Sequence, residues 1–327
     1  MLKISQKVLG SSLLPRSISN SSFKLPSSHV ISALKKSVSN SCVNYSSYSE
    51  PDQSSTYLVF DRKIKKLQKD RAARNVDTSR QVDYLKDEVA NRIVDRLLDI
   101  KRRFNTVVEV GAGCGHIAKA IDSDIADKLI MCENSIDVER RQMDEEIPDF
   151  EHNSCEAIVS NLSLHWVNDL VGSMIKIRQA LIPDGVFIAS LFGGDTLFEL
   201  RTSLQLAEQE RLGGISPHIS PMVDPRDMGG LLTRAGLNIP TVDVDKIVVN
   251  YPSMFHLMAD LNYMGENNAV VKRPSTIKRT TLYAANSIYK GTHHHHHHHH
   301  HFLFFTSFFF FTSLIIYNLS PFVVIIY

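Results

Sequence analysis

Apolar and polar residues between positions 83 and 191 follow two periodicities, one typical of helices and one typical of buried strands. Three segments have apolar residues at helical spacing and predict helices: Asp83–Leu98, His116–Ile121 and Leu170–Leu181. Four short runs rich in β-branched and apolar residues predict strands: Thr106–Val110, Lys128–Cys132, Glu156–Ser160 and Val186–Leu191. Because strands and helices of these lengths alternate, the sequence predicts an α/β fold with a doubly wound, Rossmann-like parallel sheet.

A glycine-rich loop joins the first predicted strand to the next helix, and its sequence is Glu109-Val-Gly111-Ala-Gly113-Cys-Gly115. Glycines after a strand permit a tight turn and let a ligand approach the backbone at the C-terminal edge of the sheet. The last gap is one residue shorter than in the G-x-G-x-x-G loop of dinucleotide-binding proteins. The acid two residues before the first glycine favours the cationic end of a ligand over a pyrophosphate.

An acid also follows the second predicted strand. Glu133 lies eighteen residues after Gly115, where it can accept hydrogen bonds from a ribose diol. Taken alone, the glycines are compatible with a turn that binds nothing, and Glu133 with a solvated loop acid. Together they favour a nucleoside ligand that carries a positive charge. Only ten residues separate Glu133 from Asp144, so the third strand of the sheet is predicted to be shortened.

The net charge of +1 averages over three unlike segments. Residues 1–50 are rich in Ser and contain six Lys or Arg and one acid, a composition typical of a mitochondrial transit peptide; a disordered Ser-rich tail is the alternative. Residues 51–292 carry a net charge of −4, which gives no basic surface for nucleic acid and disfavours that class of partner. The predicted division is a leader (1–56), a globular domain (57–290) and a low-complexity tail (291–327).

The tail begins with nine consecutive histidines, followed by the Phe-rich, uncharged residues 302–327. This stretch is long enough to span a bilayer, but Thr, Ser, Asn and Pro interrupt it. We favour translated low-complexity sequence foreign to the native protein, with a membrane anchor and metal binding by the histidines as alternatives. The four cysteines, at positions 42, 114, 132 and 155, form no Cys-x-x-Cys pair, which disfavours a zinc site or disulfide scaffold and fits a reducing compartment.

With its acid and three glycines, the loop resembles the first motif of class I S-adenosylmethionine-dependent methyltransferases. The resemblance implies S-adenosylmethionine as cofactor, with its methionine part at Glu109, Gly111, Gly113 and Gly115 and its ribose at Glu133. It also implies that the acids from Asp144 through Glu145 to Glu146 lie near the adenine. Asn161, at the start of the segment that ends at Trp166, would line the mouth shared by cofactor and substrate.

Longer strings resemble a narrower family, that of the mitochondrial NADH dehydrogenase (complex I) assembly factor 5, over about residues 57–290. The strings are Val59-Phe-Asp-Arg62, Asp83-Tyr-Leu-Lys86, Ser163-Leu-His-Trp-Val-Asn-Asp-Leu170, Phe192-Gly-Gly-Asp-Thr-Leu197, Glu199-Leu-Arg201 and Ser216-Pro-His-Ile-Ser-Pro221. The resemblance implies a protein of the mitochondrial matrix, peripherally associated with the inner membrane, that works with other assembly factors. It further implies hydroxylation of an arginine in an iron–sulfur subunit of complex I.

This chain departs from the family after Tyr289, where the family continues with a further strand and this chain passes to Gly291, Thr292 and the histidines. The sheet is therefore predicted to lack its last strand and to have an open edge. Hydroxylation commonly uses iron held by two histidines and a carboxylate. No acid follows any histidine of the domain by two residues, so no metal site is predicted and the hydroxylase activity depends on the resemblance alone.

Three side chains are candidate catalytic residues: His165, Asp195 and His218. His165 follows a predicted buried strand, and Asp195 lies in a strand-end turn where it could pair with a substrate guanidinium. His218 lies between two prolines in a rigid loop that could close over the site. Two other functions stay open: an O-methyltransferase acting on a small molecule or carrier-protein acid, because Leu162–Trp166 also resembles malonyl-carrier-protein methyltransferases, and a non-catalytic assembly chaperone.

Overall fold

A computed structural model describes residues 58–133, 141–295, 300–305 and 322–326. The predicted leader and most of the predicted tail lie outside the described residues. No helix within the described ranges is both long enough and apolar enough to cross a membrane.

The described strands form one sheet in the order β3-β2-β1-β4-β5-β8-β6-β7. Their bounds are β1 Phe104–Val110, β2 Ala126–Glu133, β3 Arg141–Gln142, β4 Cys155–Asn161, β5 Leu181–Ser190, β6 Asn238–Val249, β7 His300–Phe305 and β8 Phe322–Ile326. Every neighbouring pair is parallel except β6 with β7. The predicted α/β class with a mostly parallel sheet is confirmed.

The described helices surround this sheet. Their bounds are α1 Arg62–Arg74, α2 Val76–Val82, α3 Tyr84–Asp99, α4 His116–Ala120, α5 Leu170–Ala180, α6 Phe198–Leu212, α7 Pro225–Arg234, α8 Met254–Tyr263 and α9 Arg279–His295, with a 3₁₀ turn at Leu164–Trp166. Side chains alternate between the two faces of a strand, so Val107 and Val108 of β1 lie in different hydrophobic clusters. Helices α3, α6, α8 and α9 contribute to the first cluster and α5 and α7 to the second, as expected of a doubly wound sheet.

The sequence predicted a shortened third strand and the absence of a last strand, and the structure agrees with the first prediction only. The third strand is shortened, because β3 contains two residues, which pair with Cys132 and Glu133 of β2. The structure differs from the expected absence of a last strand: β8, from the predicted tail, lies between β5 and β6 and pairs in parallel with both. The difference arises because Phe322–Ile326 is an apolar, β-branched run with the composition of a strand.

Candidate functional site

The glycine loop turns sharply at the end of β1. Gly111, Gly113 and Gly115 have φ values of 72°, 50° and 78°, in the left-handed region that residues with a Cβ atom rarely adopt. The N–H groups of Gly111 and Ala112 donate to the carbonyl of Cys132 at 2.9 and 3.0 Å, which bends the loop toward the end of β2. The Gly113 N–H donates to Glu133 Oε2 at 2.7 Å, so the loop and the predicted ribose-binding acid are in direct contact.

A cavity opens beside this loop, with about 600 Å³ of empty space that includes a part open to solvent. Gly111, Gly113, Glu133 and Asn161 line it, together with side chains from α1, α2 and α3. The three strands that lead to these residues, β1, β2 and β4, are neighbours in the sheet and end at the same edge. Ligands of open α/β sheets bind at this edge. Of the other predicted cofactor residues, Glu109 is fully buried within β1, and Gly115 precedes α4 without lining the cavity.

Lys69 of α1 reaches into the cavity. Its ammonium group lies 3.1 Å from Glu133 Oε1 and 3.3 Å from Ser163 Oγ, and it donates a short hydrogen bond to Glu145 Oε1. Burial lowers the pKa of Lys69, but the nearby charges of Glu133 and Glu145 outweigh that effect and raise the pKa above its ordinary value. Lys69 therefore stays protonated and links the acid of β2 to the acid that follows β3.

Arg62, at the start of α1, binds the acids that the resemblance placed near an adenine. Its Nη2 lies 2.5 Å from Asp144 Oδ1 and 2.6 Å from Glu145 Oε2. Burial raises the pKa of Glu145, but Lys69 and Arg62 outweigh it and hold the pKa far below its ordinary value. In this structure Asp144 and Glu145 therefore bind the cations of α1, and neither lines the cavity.

A second buried cluster is centred on Glu266, which also lines the cavity. Its Oε2 accepts a hydrogen bond from Trp166 Nε1 at 2.7 Å and lies 3.3 Å from His165 Nε2. Its Oε1 lies 3.1 Å from Lys86 Nζ. Burial lowers the pKa of His165 despite the nearby Glu266, so the imidazole is neutral at physiological pH.

None of the three candidate catalytic residues lines the cavity. His165 is buried against Phe192, with ring centroids 4.6 Å apart. His218 Nε2 lies 3.1 Å from Glu208 Oε2 of α6, and the same carboxylate accepts the N–H and O–H of Ser216. These contacts attach the loop Ser216–Pro221 to α6, which is consistent with the predicted rigidity of the loop.

Asp195 is exposed in the turn after β5, and its charge partly opposes the lowering of the pKa of Arg201 that burial causes. The Arg201 guanidinium also donates to the carbonyl of Gly194 at 2.9 Å. A strand-end turn often carries a ligand contact, but Asp195 does not line the cavity. The three catalytic roles stay predictions.

Several cavity and near-cavity residues were missed: Arg62, Lys69, Asp83, Lys86, His116 and Glu266. A signal for α1 existed in the sequence, because Arg62, Lys65 and Lys69 are spaced three and four residues apart and so share one helix face. A basic face that is mostly buried needs acids opposite it. Asp83 and Lys86 belong to one of the strings that carry the family resemblance, but neither was assigned a role, and no local pattern indicated Glu266. Among the described residues, no group of three or more His, Cys, Asp or Glu side chains comes together as metal ligands.

A family model described as "Methyltransferase domain" matches residues 80–242, which contain the glycine loop, Glu133 and strands β1 to β5. The sheet and this loop thus define a methyltransferase-type domain. The mouse protein named "Arginine-hydroxylase NDUFAF5, mitochondrial" is 47% identical over 243 residues, 71% of each chain. The human protein of that name is 47% identical over 246 residues, 72% of this chain and 71% of the human one. This chain belongs to the family of mitochondrial arginine-hydroxylases that these proteins represent, and the resemblance seen in the sequence is confirmed.

A more distant relative has another activity in its name. The "Malonyl-[acyl-carrier protein] O-methyltransferase" of Methylovorus sp. (strain MP688) is 28% identical over 238 residues, which cover 66% of this chain and 77% of that protein. The second resemblance in the sequence thus has a counterpart among known proteins.

Proposed function

We propose that this chain is a mitochondrial complex I assembly factor that binds S-adenosylmethionine and hydroxylates an arginine of an iron–sulfur subunit. The observation that carries the proposal is the 47% identity to proteins named as mitochondrial arginine-hydroxylases. The proposed location is the matrix side of the inner membrane, in peripheral association with it and with other assembly factors. The iron–sulfur subunit is the protein substrate.

The residues around the cavity fit S-adenosylmethionine. A Cβ atom at Gly113 would meet no other atom within 4 Å, so this part of the loop faces open space where a ligand can approach the backbone. Glu133 is 1% exposed, ends β2 and borders the same space, as an acceptor for a ribose diol should. When bound, the cofactor would supply a nucleoside, a sulfonium cation and an activated methyl group. The loop orients it, Glu133 accepts hydrogen bonds from it, and Asn161 borders the same space.

Cys114 offers a direct test of this binding site. It is exposed in the glycine loop and lines the cavity, whereas Cys132 and Cys155 are buried. We expect S-adenosylmethionine to slow the alkylation of Cys114 by iodoacetamide about tenfold or more at saturation, because the ligand covers the thiol. Peptide mass spectrometry of the full chain measures the rate at each cysteine, and the two buried ones serve as internal references.

A matched variant makes this test specific. Gly113→Asp places a carboxylate in the open space beside the loop and should abolish both the protection of Cys114 and the binding of labelled S-adenosylmethionine. An equal alkylation rate with and without the cofactor in the wild-type chain would exclude the cavity as the cofactor site. Equal binding by the wild type and Gly113→Asp would exclude the loop.

Mass spectrometry of the iron–sulfur subunits of complex I tests the reaction. We expect one arginine to gain the mass of one oxygen atom in cells that express the chain, and not in cells that lack it. A methyl ester on an acidic small molecule or carrier protein would instead support the O-methyltransferase alternative, the activity in the name of the Methylovorus relative. If cells that lack the chain lose complex I, and neither modification is found in cells that express it, the result would support a non-catalytic chaperone.

A further inference from the structure

We propose that Asp83 is the carboxylate that binds the guanidinium group of the substrate arginine. This inference rests on the proposed function and extends it to a particular residue. Asp83 directly precedes α3, lines the cavity, and has a side chain that is only 7% exposed. Its side chain accepts no capping hydrogen bond from the helix that follows. The carboxylate of Asp83 therefore does not cap the N-terminus of α3.

Two basic side chains near Asp83 are held by another acid, and one of them, His116, is neutral at physiological pH because burial lowers its pKa. His116 Nε2 and Lys119 Nζ each lie 3.8 Å from an oxygen of Asp83, which is longer than a hydrogen bond. The same two side chains bind Asp87 much more closely, at 2.7 Å from His116 Nδ1 and 3.0 Å from Lys119 Nζ. Asp87 thus makes the close contacts with both side chains, and Asp83 makes only the longer ones.

The third nearby cation is also engaged. Lys86, one turn further along α3, directs its ammonium group to Glu266 Oε1 at 3.1 Å and to the carbonyl of Met264 at 2.9 Å. Asp83 therefore presents a buried carboxylate to the cavity: His116 and Lys119 lie beyond hydrogen-bond distance at 3.8 Å, where only Lys119 forms an ion pair with it, and Lys86 is bound elsewhere. Burying a carboxylate costs free energy that only hydrogen bonds and opposite charge offset, so a ligand cation would stabilise this arrangement.

A guanidinium group matches this position in chemistry and in place. It is planar, always charged, and donates two parallel hydrogen bonds to one carboxylate. Asp83 lines the cavity together with Ala72, Ala73 and Ser79, small side chains of helices, while the glycine loop and Glu133 belong to the strand ends. Asp195, the carboxylate chosen from the sequence, is exposed and does not line the cavity.

Isothermal titration of the full chain with Nα-acetyl-L-arginine amide, at saturating S-adenosylhomocysteine, tests the assignment. Charge-assisted hydrogen bonds contribute enough that Asp83→Asn should weaken arginine binding about tenfold to a hundredfold. Asp83→Glu, which keeps the charge, should bind more tightly than Asp83→Asn. Asp77→Asn, an exposed carboxylate on α2, should bind like the wild type. Thermal unfolding of each variant reports whether the fold is intact.

Four results would overturn the assignment, three of them from the variants. The first is equal arginine affinity in the wild type and Asp83→Asn; the second is loss of arginine binding in Asp195→Asn instead. The third is a loss of S-adenosylhomocysteine affinity in Asp83→Asn with arginine binding unchanged, which would assign the carboxylate to the ammonium group of the cofactor. A wild-type chain that binds S-adenosylhomocysteine but no arginine derivative also contradicts this inference. A chain that binds neither contradicts the proposed function itself.

Discussion

Gly111→Ala is expected to destabilise the domain by about 3 kcal/mol, whereas Gly113→Ala, in the same loop, should cost about 1 kcal/mol. Both glycines have positive φ, so alanine introduces backbone strain at either position. Only at Gly111 would the new Cβ also overlap a neighbour, the side chain of Ser163, and approach Glu145 Oε1 to 3.2 Å. Ser163 donates to Glu145 at 2.8 Å, so displacing it also disturbs a buried hydrogen bond.

Urea unfolding followed by circular dichroism measures both variants and separates strain from overlap. Ser163→Gly removes the overlapping atoms, so Gly111→Ala combined with Ser163→Gly should be more stable than the sum of the two single effects. The pair Gly113→Ala with Ser163→Gly should be additive, because nothing lies within 4 Å of a Cβ at Gly113. Equal destabilisation by the two glycine variants would show that Ser163 does not restrict the loop.

The parts of the fold that could be predicted are those encoded by short runs of sequence. The strand Thr106–Val110, the glycine turn and the helix of residues 83–98 each have a local pattern, and the structure has them at Phe104–Val110, Gly111–Gly115 and Tyr84–Asp99. The position of β8 between β5 and β6 has no such pattern, because the order of strands depends on contacts between segments far apart in the chain. The same limit applies to the site.

Glu133 could be found because its place follows from the strand that it ends. Lys69 could not be matched to it, since the two residues are 64 positions apart and meet only when α1 folds over the strand ends. Asp195 was proposed from the sequence because it follows a strand, where ligands of α/β sheets usually bind. The structure places a more buried carboxylate, Asp83, at the start of a helix and in the lining of the cavity, which no strand-end pattern indicates.

Lys69→Met is expected to destabilise the domain by about 3–5 kcal/mol at pH 7, because it leaves buried carboxylates without their cation. Glu133 and Glu145 are each 1% exposed, and Lys69 contacts both. Arg62 still binds Glu145 in the variant, whereas the contact of Lys69 with Glu133 Oε1 is lost. Lys63→Met, an exposed lysine on the same helix, should change stability by less than about 0.5 kcal/mol and serves as the control.

The destabilisation caused by Lys69→Met is expected to depend on pH in a definite direction. In the wild type the pKa of Glu145 in the folded state lies below its unfolded value, so its contribution to stability is present above the unfolded pKa and is lost as the pH falls through the folded pKa. In the variant Lys69 no longer opposes the effect of burial, so the pKa of Glu145 in the folded state is higher than in the wild type. The folded variant therefore takes up a proton at Glu145 more readily. The stability difference between the two chains should therefore shrink as the pH falls from 7 toward the ordinary range of a carboxyl group.

Urea unfolding at several pH values measures this difference, and Glu145→Gln identifies its source. Because Gln carries no charge, Lys69→Met combined with Glu145→Gln should recover part of the stability that Lys69→Met loses. A pH-independent difference, with no recovery in the double variant, would mean that Lys69 stabilises α1 by packing alone. A stability difference that shrinks in acid, together with recovery of stability in the double variant, would establish that the charge of Lys69 holds α1 over the strand ends.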